Sequence, residues 1–215
     1  MQSGAERLRW ELDGSAFPAA IADLLERCNL GKGRARVRIA MTAGAGNLRN
    51  LEQGAEALLW ITAGPCPEPR ESVSLVTALF PRNDLSPLAG LKCASYAENL
   101  IALDQARRAG ADEVLFFNTR GHLCEAAMAN IFVVSEGKVF TPPLAAGCLP
   151  GTMREQVMER ISVEEIALTA GDVLAADEVF LTSATQGVVP VSTIDGREIL
   201  LGDVAKGLRT QRGLL

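Results

Sequence analysis

Three prolines at alternate positions in GPCPEPRES, residues 64–72, constrain this chain more than any other stretch. Proline lacks the backbone donor and fixes φ, so neither a helix interior nor a central strand runs through the segment. The chain is therefore expected to divide here. Residues 1–65 make a smaller first domain, 66–71 a linker and 72–215 a larger second domain. In the first part, residues 1–30 read as helical, with Leu8, Leu12, Phe17, Ile21, Leu24 and Leu25 separated by charges. RVRIAMTAG (36–44) and EALLWITAG (56–64) read as strands around the Gly/Asn-rich loop AGAGNLRN (43–50).

The second part mixes both periodicities. SVSLVTALF (72–80) reads as a strand, PRNDLSPLAG as a polar loop, and Lys92 to about Ala109 as a helix closed by Gly110. DEVLFFN (112–118) and NIFVVSEGKVFTP (130–142) read as strands, the latter folding over at SEGK. PGTMREQVMERI (150–161) starts a helix at Pro-Gly, EVFLTSATQGVVPV (178–191) gives two strands around a small-residue loop, and GDVAKGLRTQRGLL closes the chain as a helix. Two unequal units of mixed strands and helices predict an α/β or α+β architecture.

Bulk properties remove several function classes. A net charge of −5 and a pI near 5.1 argue against a surface that tracks nucleic-acid phosphates. No apolar run reaches membrane-spanning length, and MQSGAERLRWELDG lacks the apolar core of a signal peptide. The five cysteines (Cys28, Cys66, Cys93, Cys124, Cys148) form no CxxC pair and His122 is the sole histidine, so a zinc site is not expected. Free thiols suit a reducing cytoplasm. His122 lies in the turn-like NTRGHL and reads as a solvated histidine rather than a catalytic one.

Three loops hold candidate chemistry. LPGTMRE places Gly151 and Thr152 at a helix start, where backbone N–H groups and the dipole favour an anion. TSATQG (182–187) offers hydroxyls and amides for an anion nest, or simply a tight turn. LCEAAMANIF (123–132) carries Glu125, either an exposed turn glutamate or a carboxylate in apolar surroundings that needs a partner. Lys92 stands at the head of its helix, against the macrodipole preference. Neither GxxxxGK[ST] nor GxGxxG occurs. An amine, a carboxylate and two phosphate loops suit a cofactor with an aldehyde, a basic ring nitrogen and a phosphate, the groups of pyridoxal phosphate.

LKCASYAENLIALDQARRAGADEVLFFN, GHLCEAAMANIFVV, GKVFTPPLAAGCLPGTMRE and ADEVFLTSATQGVVPV, in this order, resemble the fold-type IV pyridoxal-phosphate enzymes, the class IV aminotransferases. That family includes branched-chain aminotransferases, D-amino acid transaminases and aminodeoxychorismate lyase. The resemblance implies a two-domain fold like that of D-amino acid aminotransferase, pyridoxal 5′-phosphate as cofactor, a small amino substrate and a homodimer. Lys92 matches the lysine that bonds the cofactor and shuttles the Cα proton, which requires a lowered pKa. Glu125 matches the carboxylate that keeps the pyridine nitrogen protonated. Thr152 and Met153 match the residues whose amides grip the phosphate, and Tyr96 lies near a tyrosine that meets the cofactor's phenolic oxygen.

Departures shape the expectation further. The second phosphate loop has Ala184 where transaminases carry threonine, flanked by Ser183 and Thr185. AGAGNLRN has Arg49 but no Arg-x-His trap, which disfavours D-amino acid transamination, and Arg38 matches a strand arginine facing the site in branched-chain enzymes. Family members begin several dozen residues earlier, with a phosphate-binding arginine just before the position of Met1. The small domain is therefore expected to be truncated and cofactor affinity reduced. The alanine in TSATQG and CEAAMANIF favour an aminodeoxychorismate lyase that releases pyruvate to give 4-aminobenzoate. A class IV transaminase of branched-chain or related amino acids is the second reading, and a non-catalytic cofactor-binding remnant the third.

Overall fold

The structure is a computed structural model that describes residues 1–45, 49–54, 56–211 and 213–214. It divides into two compact units, Met1–Glu68 and Pro69–Leu215. The first holds helices α1 (Gln2–Leu8) and α2 (Phe17–Arg27) and strands β1 (Ala35–Met41) and β2 (Leu59–Pro65). The strands pair antiparallel, from Ala35 opposite Pro65 to Met41 opposite Leu59. The expected helix over 1–30 is interrupted. Arg9 turns left-handed at φ 59° and ends α1, while Pro18, lacking an N–H, restarts the helix in its first turn. Part of the loop 43–50 lies outside the described residues.

The second unit begins with β3 (Val73–Thr77), α3 (Ala97–Arg108), β4 (Glu113–Phe117), β5 (Leu123–Ala126), β6 (Asn130–Ser135) and β7 (Lys138–Thr141). It continues with α4 (Thr152–Arg160), β8 (Val163–Glu165), α5 (Ala170–Leu174), β9 (Glu178–Ser183), β10 (Gly187–Ile194), β11 (Arg197–Glu198) and α6 (Asp203–Arg209). One sheet runs in the order β5-β4-β3-β10-β9-β6-β7-β8, with β11 on β10. Four strands lie between β5 and β6 in that order, yet only residues 127–129 join the two in the chain. Three residues span at most about 10–14 Å, so the sheet must curl to bring β5 back beside β6. The bend closes through the Ala126 N–H bond to Ala129 O at 2.8 Å.

Alternation along the strands separates the core layers. Val179 and Leu181 pack with Leu75, Leu115, Leu123, Ile131 and Val133 on one face. Phe180 and Phe132 stack on the other, 4.8 Å apart, under Met153 and Val157 of α4 and Leu208 of α6. Two turns follow the sequence closely. Glu136 and Gly137, both at positive φ, make the two-residue turn of the β6–β7 hairpin. Gly110 at φ 74° ends α3, with Gly110 N bonded to Arg107 O and Ala111 N to Ala106 O, the Schellman arrangement.

Candidate active site

The helix expected from Lys92 starts at Ala97 instead. The chain before it is fastened to the β4–β5 region: Arg82 N bonds Phe117 O at 2.8 Å, and Asp84 Oδ1 accepts from the Thr119 hydroxyl at 2.6 Å. Between that anchor and α3 it spends its backbone bonds on successive tight turns, Ser86 N to Asn83 O, Ala89 N to Ser86 O and Leu91 N to Leu88 O. Lys92 is therefore not a helix N-terminal charge, and no dipole opposes it. Its side chain is exposed on this unit. Nζ donates to the Tyr96 hydroxyl at 2.7 Å and lies 4.5 Å from the Tyr96 ring centroid. The tyrosine thus holds the amine four residues on.

Glu125 is neither exposed nor in a turn. It lies in β5 opposite Phe116, with 13% of its side chain exposed. Oε2 accepts from Leu149 N at 2.9 Å and Oε1 stands 3.6 Å from Arg82 Nη2. Burial pushes the carboxyl above its ordinary 4.5, while the Leu149 N–H and the charges of Arg82 and Lys92 pull it back. Lys92 is thus close enough for its charge to act on Glu125.

Arg82 escaped the sequence reading. Its side chain is 11% exposed, stacks 4.0 Å over the Phe116 ring and donates to Asn99 Oδ1 at 3.2 Å and Glu98 Oε2 at 3.3 Å. Nothing in PRNDLSPLAG marks it, because every partner comes from another element. Glu113 was missed as well. It accepts from the N–H groups of Val114, Ala127 and Met128, which fixes the bend directly after Glu125. Burial foremost, with the charge of Glu125 added, raises its carboxyl to about 7. Asn99 holds the same bend through a hydrogen bond from Nδ2 to Ala127 O.

The third component is the start of α4. Gly151 is its N-cap and no side chain caps it. The first N–H groups, those of Thr152, Met153 and Arg154, have no acceptor within the helix. A Cβ on Gly151 would lie 2.1 Å from Asn130 Oδ1, so only glycine fits there. Asn130 Nδ2 in turn donates to Leu149 O at 2.8 Å. The Thr152 side chain is exposed and that of Met153 is buried in the core, so both face the helix start through backbone alone. Arg154 turns away, to Pro142 O and Glu165.

The TSATQG loop is a tight turn: Ser183 Oγ accepts from Gln186 N at 3.2 Å. Ala184 is exposed and Thr185 half-buried beside it. Contacts therefore link Arg82, Glu125, Leu149, Asn130 and Gly151 in one run, and the strand ladder sets Asn130 opposite Thr182, next to Ser183. Arg38, exposed on β1, and Arg49, exposed after Met41, belong to the first unit. His122 is half-buried just before β5, and its N–H bonds Asn118 Oδ1. Among the described residues no helix is long and apolar enough to cross a membrane.

The sequence profile described as amino-transferase class IV matches residues 1–194. A Methanocaldococcus jannaschii protein provisionally named a branched-chain-amino-acid aminotransferase is 31% identical over 189 residues, 81% of this chain and 65% of its own length. The Escherichia coli branched-chain-amino-acid aminotransferase is 29% identical over 156 residues, 69% of this chain and 45% of that protein. The chain thus spans 45% to 65% of the length of these two relatives. A Legionella pneumophila structure provisionally described as a 4-amino-4-deoxychorismate lyase superposes with a TM-score of 0.88 at 27% identity, over 98% of this chain and 82% of that one. A Brucella abortus aminotransferase bound to the co-factor PLP superposes with a TM-score of 0.74 at 29% identity, over 89% and 73%.

Proposed function

Because the chain belongs to the class IV amino-transferase family, we propose that its second unit binds pyridoxal phosphate and acts on a small amino compound. The observation that carries this reading is the contact run from Glu125 through Leu149 to the uncapped start of α4. It gives a carboxylate and an anion-attracting helix end in one contiguous region, with the charge of Lys92 acting on the carboxylate. These groups suit the cofactor: Lys92 for its aldehyde, Glu125 for its ring nitrogen, and the amides of Thr152 and Met153, with the Ser183–Thr185 turn, for its phosphate. Bound pyridoxal phosphate supplies an electron-withdrawing ring that stabilises negative charge beside an amino carbon.

The chain's own residues supply the rest. Tyr96 orients the Lys92 amine, which must shed a proton before it can bond a carbonyl or accept a proton from carbon. Arg82 favours the ionised form of Glu125, the form able to hold a proton on a neighbouring nitrogen. Within the family, the aminodeoxychorismate lyase reading comes first, supported by Ala184 and by the Legionella likeness. Transamination of branched-chain or related amino acids is the second, favoured by the names of the curated relatives. Exposed Leu79, Leu85 and Leu88, with Leu100 and Ile101 on α3, fit pairing with a second copy of the chain.

Borohydride reduction of the cofactor-loaded protein, followed by peptide mass spectrometry, is expected to place the cofactor's mass on Lys92. Lys92→Ala should lose that label and all turnover; a label on another lysine overturns the assignment. Pyruvate release from aminodeoxychorismate, assayed beside glutamate-dependent transamination, separates the two activities. Cofactor retention without either activity identifies a binding remnant.

A further inference from the structure

Thr182 is the penultimate residue of β9 and only 1% exposed, yet its hydroxyl is buried without a hydrogen-bond partner among the described residues. Such a group is costly, and a valine of the same shape would avoid the cost. Its surroundings show which face of the sheet the side chain takes. In the ladder Thr182 lies between Asn130 of β6 and Val188 of β10. One pleat along the same face, Phe180 stacks on Phe132 beneath Met153 and Val157 of α4. Asn130 abuts Gly151, the N-cap of that helix. Thr182 therefore sits under the first turn of α4, a nine-residue helix whose leading N–H groups have no side-chain cap.

We propose that the Thr182 hydroxyl is a phosphate-binding donor, reaching the anion at the start of α4 from beneath and supplying the hydroxyl contact that Ala184, two residues on, cannot make. An ionised phosphate oxygen gives the buried hydroxyl a charge-assisted acceptor, which turns an unpaired donor into a strong contact. The inference rests on the reading that pyridoxal phosphate binds here with its phosphate at this helix end. It explains why a β-branched position that has Phe180 and Val188 as neighbours on the same face carries an oxygen at all.

The test compares wild type with Thr182→Val and Thr182→Ser, using pyridoxal 5′-phosphate and its dephosphorylated form, pyridoxal, as probes in equilibrium absorbance titrations. The apo melting temperature of each variant is measured alongside. Thr182→Val is expected to melt at or above the wild-type temperature and to bind pyridoxal phosphate on the order of tenfold more weakly. Its affinity for pyridoxal should stay at the wild-type value, and Thr182→Ser should recover most of the phosphate-dependent affinity. If wild type prefers pyridoxal phosphate and Thr182→Val keeps the same ratio between the two probes, the role given to Thr182 is wrong while the cofactor reading stands. If wild type binds neither probe, both are wrong.

Discussion

Replacing Arg82 by methionine tests the electrostatics of the site most directly. Methionine keeps an unbranched apolar stem over Phe116 while removing the guanidinium. At 3.6 Å, and with an effective dielectric constant of about 20, two unit charges attract by about 4.6 kcal/mol. Breaking a buried pair from one side costs about 3–5 kcal/mol, because the remaining charge stays desolvated. Glu125 would keep the Leu149 N–H and the charge of Lys92 but not that of Arg82, so burial dominates and its pKa moves further above the ordinary value.

The proton gives Glu125 an escape, and that fixes the sign of the pH effect. Below its ordinary pKa of 4.5 the group is neutral whether the chain is folded or unfolded, so losing Arg82 costs little through Glu125. As pH rises, the unfolded chain ionises first and the folded variant is penalised increasingly until its own raised pKa is passed. Arg82 also touches Asn99, Glu98 and the Phe116 ring, so the single variant reports more than one interaction. A double-mutant cycle with Glu125→Gln isolates the pair. Urea unfolding should give a coupling of about 2–4 kcal/mol at pH 8, shrinking below about 1 kcal/mol near pH 5. Coupling under about 0.5 kcal/mol at pH 8, or equal coupling at both values, refutes the argument.

Glu113→Gln should flatten the pH dependence of stability. With the folded carboxyl at about 7 against an ordinary 4.5, wild type loses on the order of 3 kcal/mol between those values and no more above them, a slope that glutamine cannot show. Parallel profiles for the two proteins would rule this out. For pairing with a second copy, Leu100→Lys with Ile101→Lys, both exposed on α3, should shift sedimentation from dimer to monomer without changing the far-ultraviolet circular dichroism. A wild type that sediments as a monomer at micromolar concentration ends that proposal.

What could be read from the chain and what could not differ in the range of the interactions involved. The SEGK turn, the Gly110 cap and the Pro-Gly start of α4 are local: each follows from φ, a missing N–H or a missing Cβ within a few residues. The Lys92 segment failed on the same ground. Its residues are compatible with helix, but the anchors at Arg82 and Asp84 reach to Phe117 and Thr119, and tertiary bonds overrode propensity. β5 was missed for a related reason. At four residues, LCEA is too short for alternation to show, and it becomes a strand only by pairing with β4. The site divides in the same way. Lys92, Glu125 and the helix start stand in stretches that motif order exposes, whereas Arg82, Glu113 and Thr182 owe their importance to burial and to partners on other elements. A charge or hydroxyl acquires a large effect only once water is removed from it, and which groups lose their water is decided by how the sheet curls. The residues that tune this site are therefore the ones a linear reading is least equipped to find.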